Sequence, residues 1–506
     1  MISPTDGLTV LDWMIVALYA AGTIGLGYYY SRRQASASEY FTGGGRMSPS
    51  LIGISLFATL LSTISYLSVP GEAIGKGPVW MLNMLAFPLV YLVVGYVLIP
   101  VYMRQRVTSA YELLEARLGL GIRLLGALMF IALRLVWMSL LIYLASSAMA
   151  VMLSGDETWI PVISVCTGVV AVIYTSLGGI RAVVITDTFQ TVLMLGGAWL
   201  VIGIVTYSLG GFGWAPAEWQ PQWDVQPFFS FDPAVRLSVL GSILSSAVWA
   251  ICTAGGDQTA VQRFMATRDA AAARRSYATQ LVVNVVVVTT LWITGFALMG
   301  YYQAYPDLLP VGIDLDVEAD RVFPHFIAYY LPPGVSGLVV AAMFAAAMSS
   351  IDSGVNSITA VISTDFVDRL GRPTESDRGH TRMAQIIAWS VGAVVVGFSS
   401  LIGEVPGNIT AVTNKTTNLL TTPIFALFFF ALFVPFARPA GVVAGAVCGI
   451  SVAGLIAFSG PLFGVDALTG EDPVSFMWIS PIALCVNMAV GTTVSWILCM
   501  KYPEKE

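Results

Sequence analysis

The stretch AAAMSSIDSGVNS, residues 345–357, sets oxygen-bearing side chains inside an otherwise apolar run. Ala346, Ser349, Ser350 and Ser353 recur at three- and four-residue spacing, with Asp352 and Asn356 on the flank of the same helix face. Small hard cations take oxygen ligands, and hydroxyls with free backbone carbonyls suit a weakly hydrated alkali ion better than zinc or iron. Sodium is the economical candidate. Serines in membrane helices also hydrogen-bond neighbouring helices or mark small-residue seams, but this many hydroxyl and carboxylate groups on one arc favour an ion.

The run SLFATLLSTISYLSVPGEAIGKG, residues 55–77, offers a second set of oxygens. Ser and Thr interrupt its apolar pattern, and Pro70 with Gly71 weaken its end. Such interruptions free backbone carbonyls, and broken helices near the midplane are where transporters bind ions and solutes. An ordinary proline-kinked helix is the alternative on this segment alone.

The chain around these runs belongs in a membrane. Of 506 residues 57% are hydrophobic and only 11% charged, against about 25% charged in soluble domains, and the mean hydropathy is +0.79. The net charge of −6 comes with no basic stripe, which excludes nucleic acid as a partner. Five cysteines in apolar runs show no ligand spacing, and His325 and His380 lie too far apart in sequence for a histidine metal cluster or a nucleophile system. No catalytic residue is expected, and the chain does not read as an enzyme.

An all-α integral membrane fold of about thirteen transmembrane helices follows from spans of roughly 20 residues or more. They lie near 8–30, 49–74, 80–103, 120–152, 159–180, 183–208, 236–264, 277–303, 333–365, 383–402, 409–436, 440–459 and 479–500. The first reads as an uncleaved anchor with its N-terminus outside, because it is long and is followed by Arg32 and Arg33. Nineteen of the 24 basic residues, Arg106, Arg263, Arg372, Arg378 and Lys505 among them, then fall in the cytoplasmic connections. Lys76, Arg236 and Arg321 fall outside, Arg134 and Lys415 within spans, and the C-terminus lies in the cytoplasm. TSAYELLEARLG, residues 108–119, is amphipathic and is expected along the membrane surface. Two blocks of five helices, 49–208 and 236–436, start on opposite sides of the membrane, as an inverted repeat requires. They leave 1–48 as an accessory helix and loop, 209–235 as an outer loop, and 437–506 as two accessory helices.

Ionisable groups inside spans cost about 2.5–3.5 kcal/mol each on insertion scales, so each is expected to face a partner or a solute path. Arg134, Asp187, Asp352 and Lys415 are such groups, with Glu72 and Asp257 nearer helix ends. Asp187 could bind an ion or pair with Arg134 or Lys415. Arg134 could take a solute carboxylate in a bidentate grip or neutralise Asp187 or Asp352. Lys415 could snorkel.

Four motifs in order resemble the sodium/solute symporter family over about residues 10–440: ASEYFTGGGRM at 37–47, GGIRAVVITDTFQ at 178–190, GGDQTAVQRFMATRDAAAARRS at 255–276, and AAAMSSIDSGVNS. The resemblance implies the leucine-transporter-type fold, a five-plus-five inverted repeat with one extra helix before and two after, and alternating access driven by sodium. Carried over residue by residue, the main sodium site would use carbonyls of Ala58, Leu61 and Ala346 and hydroxyls of Ser349 and Ser350. A second cation site would involve Asp187, Ser353 and Asp352, where many members have Ser or Thr in place of Asp352. Ser62, Ser65, Glu72 and Arg134, with Asp257 and Lys415, are the candidate solute contacts. TSAYELLEARLG further resembles the branch that carries monocarboxylates, vitamins, iodide and sialic acid, which implies an anionic carboxylate as the solute. A sodium/sugar symporter is the alternative, and an ion channel or a membrane sensor are the alternatives of another class. One chain in the bacterial inner membrane is expected to carry out the whole cycle.

Overall fold

A computed structural model describes residues 7–31, 37–105, 107–153, 157–309, 315, 318–371, 377–400, 409–465 and 472–501. Arg32, Arg33, Arg106, Arg372 and Lys505 of the charge argument lie outside the described residues, as does the side chain of Arg378. The principal helices are α1 (Val10–Ser31), α2 (Pro49–Leu60), α3 (Thr63–Gly75), α4 (Pro78–Gln105), α5 (Leu120–Leu153), α6 (Ile160–Ser208), α7 (Val239–Gly256), α8 (Gln258–Met265), α9 (Ala270–Ala304), α10 (Val335–Val361), α11 (Asp377–Ser399), α12 (Ile409–Phe433), α13 (Pro439–Ala457) and α14 (Ile479–Lys501). Among the described residues, eleven helices are long and apolar enough to cross a membrane, or up to twelve if the bent pair α2–α3 is one span. The remaining expected span, 159–180, holds the shorter apolar stretch Ile160–Ile173, the first part of α6, which runs on into its second part across Gly179 (φ 56°, ψ −169°). Only glycine adopts that conformation without strain.

Two breaks organise the bundle. The first separates α2 from α3, which are bent by 68°. Leu61 and Ser62 are extended there, and the Thr59 hydroxyl donates back to the Ser55 carbonyl at 2.8 Å, a bond that competes with the helix ladder. The second separates α7 from α8 at Asp257, which is extended and caps α8 by accepting from Thr259 N at 2.8 Å. Gly255 and Gly256 precede it because Phe425 of α12 packs where their side chains would stand. Each break opens one of the two five-helix blocks read from the sequence.

α10 lies at the centre, packed on α6 and on α1. Asp12 of α1 caps the N-terminus of α10, with Oδ1 accepting from Gly334 N and Gly337 N at 2.7 Å each. α13 and α14 pack through small residues, Gly441, Gly445 and Gly449 against Asn487, Gly491 and Ser495. The segment expected on the membrane surface forms the helix Glu112–Leu118. Its leucines instead bury against the bundle, beside α5 and α12.

Candidate functional site

The first break and the serine face of α10 meet. Ser349 Oγ donates to Ala58 O at 2.8 Å and Ala346 O at 3.0 Å, and Ser350 Oγ reaches Thr59 O at 3.2 Å and Leu61 O at 3.5 Å. The structure therefore brings Ala58, Leu61, Ala346, Ser349 and Ser350 together, all buried. The second break differs. Its freed carbonyls, Gly255 O and Gly256 O, accept from the phenols of Tyr102 and Tyr111, the latter at 3.1 Å. Short serine hydroxyls on α10 meet the carbonyls of the first break, whereas bulky phenols from α4 and the Glu112–Leu118 region cover those of the second.

Asp187, Asp352 and Ser353 form an adjacent buried cluster, which also holds Arg263. Arg263 Nη2 lies 3.5 Å from Asp187 Oδ2 and donates to Ser353 Oγ at 2.5 Å, while its Nε donates to Ser55 Oγ at 2.9 Å. Ser55 donates in turn to Asp187 at 2.5 Å, Thr59 and Ser353 share a hydrogen bond at 2.8 Å, and Ser353 reaches Asp352 Oδ1 at 3.2 Å. Asp187 Oδ1 is buried without a hydrogen-bond partner. The expectation that Arg263 belongs to a cytoplasmic loop is thus corrected. Its helix α8 lies inside the bundle, held to α10 by Gln262, which donates to Asn356 Oδ1 at 2.7 Å and accepts from Ser357 at 2.8 Å.

A cavity of about 210 Å³ opens between the two broken helices. Ser65, Ser68 and Val69 come from α3, Trp80 and Asn83 from α4, Trp137 from α5, Ser245, Ser246, Trp249 and Thr253 from α7, Tyr277, Gln280 and Asn284 from α9, and Thr410, Thr413, Asn414 and Thr417 from α12. Leu60 and Leu61 also line it, so the cavity touches the first break. No charged side chain stands among the described residues of its wall. Thr253 Oγ1, Gln280 Oε1 and Thr413 Oγ1 are buried there without partners, and so is Ser62 Oγ beside it. A side pocket of about 30 Å³ shares Leu60, Trp137, Trp249, Thr253 and Thr417 with this cavity and adds Arg134 and Asp257.

The other candidate solute contacts find different partners. Arg134 pairs with Asp257, and not with Asp187 or Asp352, and donates to Thr259 Oγ1 at 2.8 Å. Glu72 is fully buried away from the cavity, gripped by Arg236 Nη2 at 2.7 Å to each carboxylate oxygen. Lys415 pairs with Asp472. Of that set only Ser65 lines the main cavity. The α12 contacts were missed, although a signal was there: Thr410, Thr413, Asn414 and Thr417 recur at helical spacing around Lys415. The indoles carried no comparable signal, because tryptophan is common throughout a membrane chain.

Two broken helices around a solute-sized cavity, in an all-helical bundle, define a secondary active transporter. Residues 40–449 match the Sodium:solute symporter family, and the chain belongs to that family. It is a multi-pass, sodium-coupled solute symporter and not an enzyme. A sodium/sialic acid symporter of Proteus mirabilis is 28% identical over 459 residues, with 87% of this chain and 88% of that protein covered. A sodium-dependent multivitamin transporter of Oryctolagus cuniculus is 27% identical, covering 89% of this chain and 70% of the relative. Among solved structures, a substrate-bound, outward-open Na+-coupled sialic acid symporter superposes with a TM-score of 0.80 at 25% identity, covering 97% of this chain and 98% of that one. The fold is the leucine-transporter type.

Proposed function

We propose that the chain couples the inward movement of sodium to uptake of a small organic carboxylate, of monocarboxylate or sialic acid type, through the cavity between α3, α7, α9 and α12. The observation that carries this reading is the contact of Ser349 and Ser350 with the carbonyls of Ala58, Thr59 and Leu61. Those hydroxyls and the carbonyls of Ala58, Leu61 and Ala346 would hold the main sodium ion. Leu61 joins that site to the cavity wall, so ion and solute stabilise one another's bound state. The solute carboxylate sits toward the N-terminus of α3, beside Ser62, where the helix dipole and the sodium charge both favour an anion. Its hydroxyl or amide groups meet Thr253, Gln280 and Thr413. Among the described residues no acidic side chain lines the cavity to hold a cation. The uncharged wall these residues form favours a second reading, a neutral sugar stacked on Trp80, Trp137 and Trp249.

We assign the adjacent cluster one further cation, held at Asp187, whose Oδ1 is buried without a hydrogen-bond partner, with Asp352 and Ser353 beside it as ligands. A second cation suits an anionic solute. A tenfold sodium gradient supplies about 1.4 kcal/mol per ion and 100 mV about 2.3 kcal/mol per net charge. One sodium with one monovalent anion is electroneutral and supports about tenfold accumulation; two sodium ions give about 5 kcal/mol, several thousandfold. The basic-residue bias supports an extracellular N-terminus and a cytoplasmic C-terminus in the inner membrane, with 49–208 and 236–436 as inverted repeats in a functional monomer. Proteoliposomes with an imposed sodium gradient test the reading with labelled carboxylates and sugars. Sodium-driven carboxylate uptake that carries net charge is the expected result. Uptake of sugars alone would select the second reading, and an electroneutral one-to-one coupling would remove the second cation.

A further inference from the structure

The outer ends of the two broken helices are tied together by charge. Glu72 stands in the last turn of α3, and Arg236 lies three residues ahead of α7. Arg236 Nη2 donates to both carboxylate oxygens of Glu72, at 2.7 Å each, and so joins residues 164 apart in sequence. Both side chains are buried. Arg236 Nη1 donates to Asp224 Oδ2 at 3.0 Å, and Asp224 N donates to Lys76 O at 3.3 Å, which returns to the end of α3. Arg236 is also fixed from behind, its guanidinium over the Phe476 ring at 5.6 Å and its carbonyl accepting from Ser475. Neither Glu72 nor Arg236 lines the cavity, yet the helices they join supply opposite parts of its wall, Ser65 and Ser68 from α3, Ser245 and Trp249 from α7.

We infer that the Glu72–Arg236 pair is a clamp that stays closed through the transport cycle, holding the outer halves α3 and α7 as one body and fixing the width of the solute cavity. Opening it at each turnover would strand two buried charges, and a buried pair broken on one side is far more costly than one never formed. Both residues are positioning residues that act on the solute through the walls they space. The inference rests on the proposed cavity as the solute site, and the opposite role, an outer gate that opens each cycle, makes the opposite kinetic prediction.

Weakening a gate favours the open state and lowers the solute KM. Loosening a clamp blurs the cavity and raises it. The test measures sodium-driven uptake in proteoliposomes for wild type, Glu72→Gln, Arg236→Gln and the exchanged pair Glu72→Arg with Arg236→Glu. The clamp predicts a tenfold or greater rise in solute KM for Glu72→Gln, a sodium half-saturation changed less than twofold, and recovery of KM toward wild type in the exchanged pair. Glu72→Gln leaves Arg236 its Asp224 partner, so this variant keeps the fold even if Arg236→Gln does not. A fall in KM, an unchanged KM, or a fall in turnover alone overturns the clamp. Absence of sodium-driven uptake in wild type strikes instead at the solute assignment.

Discussion

Replacing Arg263 by glutamine separates an ion-binding cluster from a structural salt bridge. Its Nη2 lies 3.5 Å from Asp187 Oδ2, worth about 5 kcal/mol at an effective dielectric constant of about 20. Removing one partner of such a buried pair costs about 3–5 kcal/mol net. In a chain of 506 residues each kcal/mol moves Tm by about 1 °C, so in potassium the variant should melt about 3–5 °C below wild type. Sodium should recover at least half of that loss, because Asp187 without its guanidinium attracts a small cation more strongly. The assay is thermal unfolding in detergent at matched ionic strength, with tryptophan fluorescence as the signal. The predicted signature is a sodium-minus-potassium difference in Tm larger in Arg263→Gln than in wild type. A variant that melts equally early in both ions, or as late as wild type in potassium, would refute the reasoning.

Asp12→Ala uncaps the N-terminus of α10 and should lower Tm by about 2 °C, from a loss near 2 kcal/mol, in sodium and potassium alike; an ion-dependent loss would show that α1 acts on the cation sites. Thr253→Val removes a buried hydroxyl without a partner and should raise the solute KM about 5- to 30-fold, equivalent to 1–2 kcal/mol, with sodium half-saturation unchanged, as measured by uptake. Asp320, outside the spans, packs on Gly71 and accepts from Ile409 N at 3.1 Å, and burial pushes its pKa up from 3.8 to about 7. Between those values the folded protein holds a proton that the unfolded chain has released, so stability falls as pH rises through that window and levels off above it. Asp320→Asn should therefore gain on wild type by about 2 kcal/mol between pH 5 and pH 8, read as a pH-dependent difference in melting temperature; a constant difference would contradict the assignment.

Oxygen periodicity in 345–357 and the interrupted run 55–77 made the first break and its serine partners legible, because the signal lies in local spacing. Family resemblance supplied which carbonyls to pair with them. Charge partners were not legible. Arg134 took Asp257, Glu72 took Arg236 and Lys415 took Asp472, since each choice depends on helix rotation, which hydropathy leaves free. Arg263 was misplaced for a related reason: a basic residue near a span end reads as a loop residue until the break at Asp257 turns α8 back into the bundle. The cavity wall was only partly visible because its indoles and amides come from five helices, each contributing one or two residues that look ordinary in sequence.

The measurement that bears most directly on the account compares thermal stability in sodium and in potassium for wild type and Ser350→Ala. Ser350 reaches two of the carbonyls freed at the first break and lies outside the Arg263 cluster. Wild type should melt higher in sodium, and Ser350→Ala should lose most of that difference while melting near wild type in potassium. An unchanged sodium response in Ser350→Ala, or none in wild type, would contradict the claim that this break and the α10 serines hold the coupling ion.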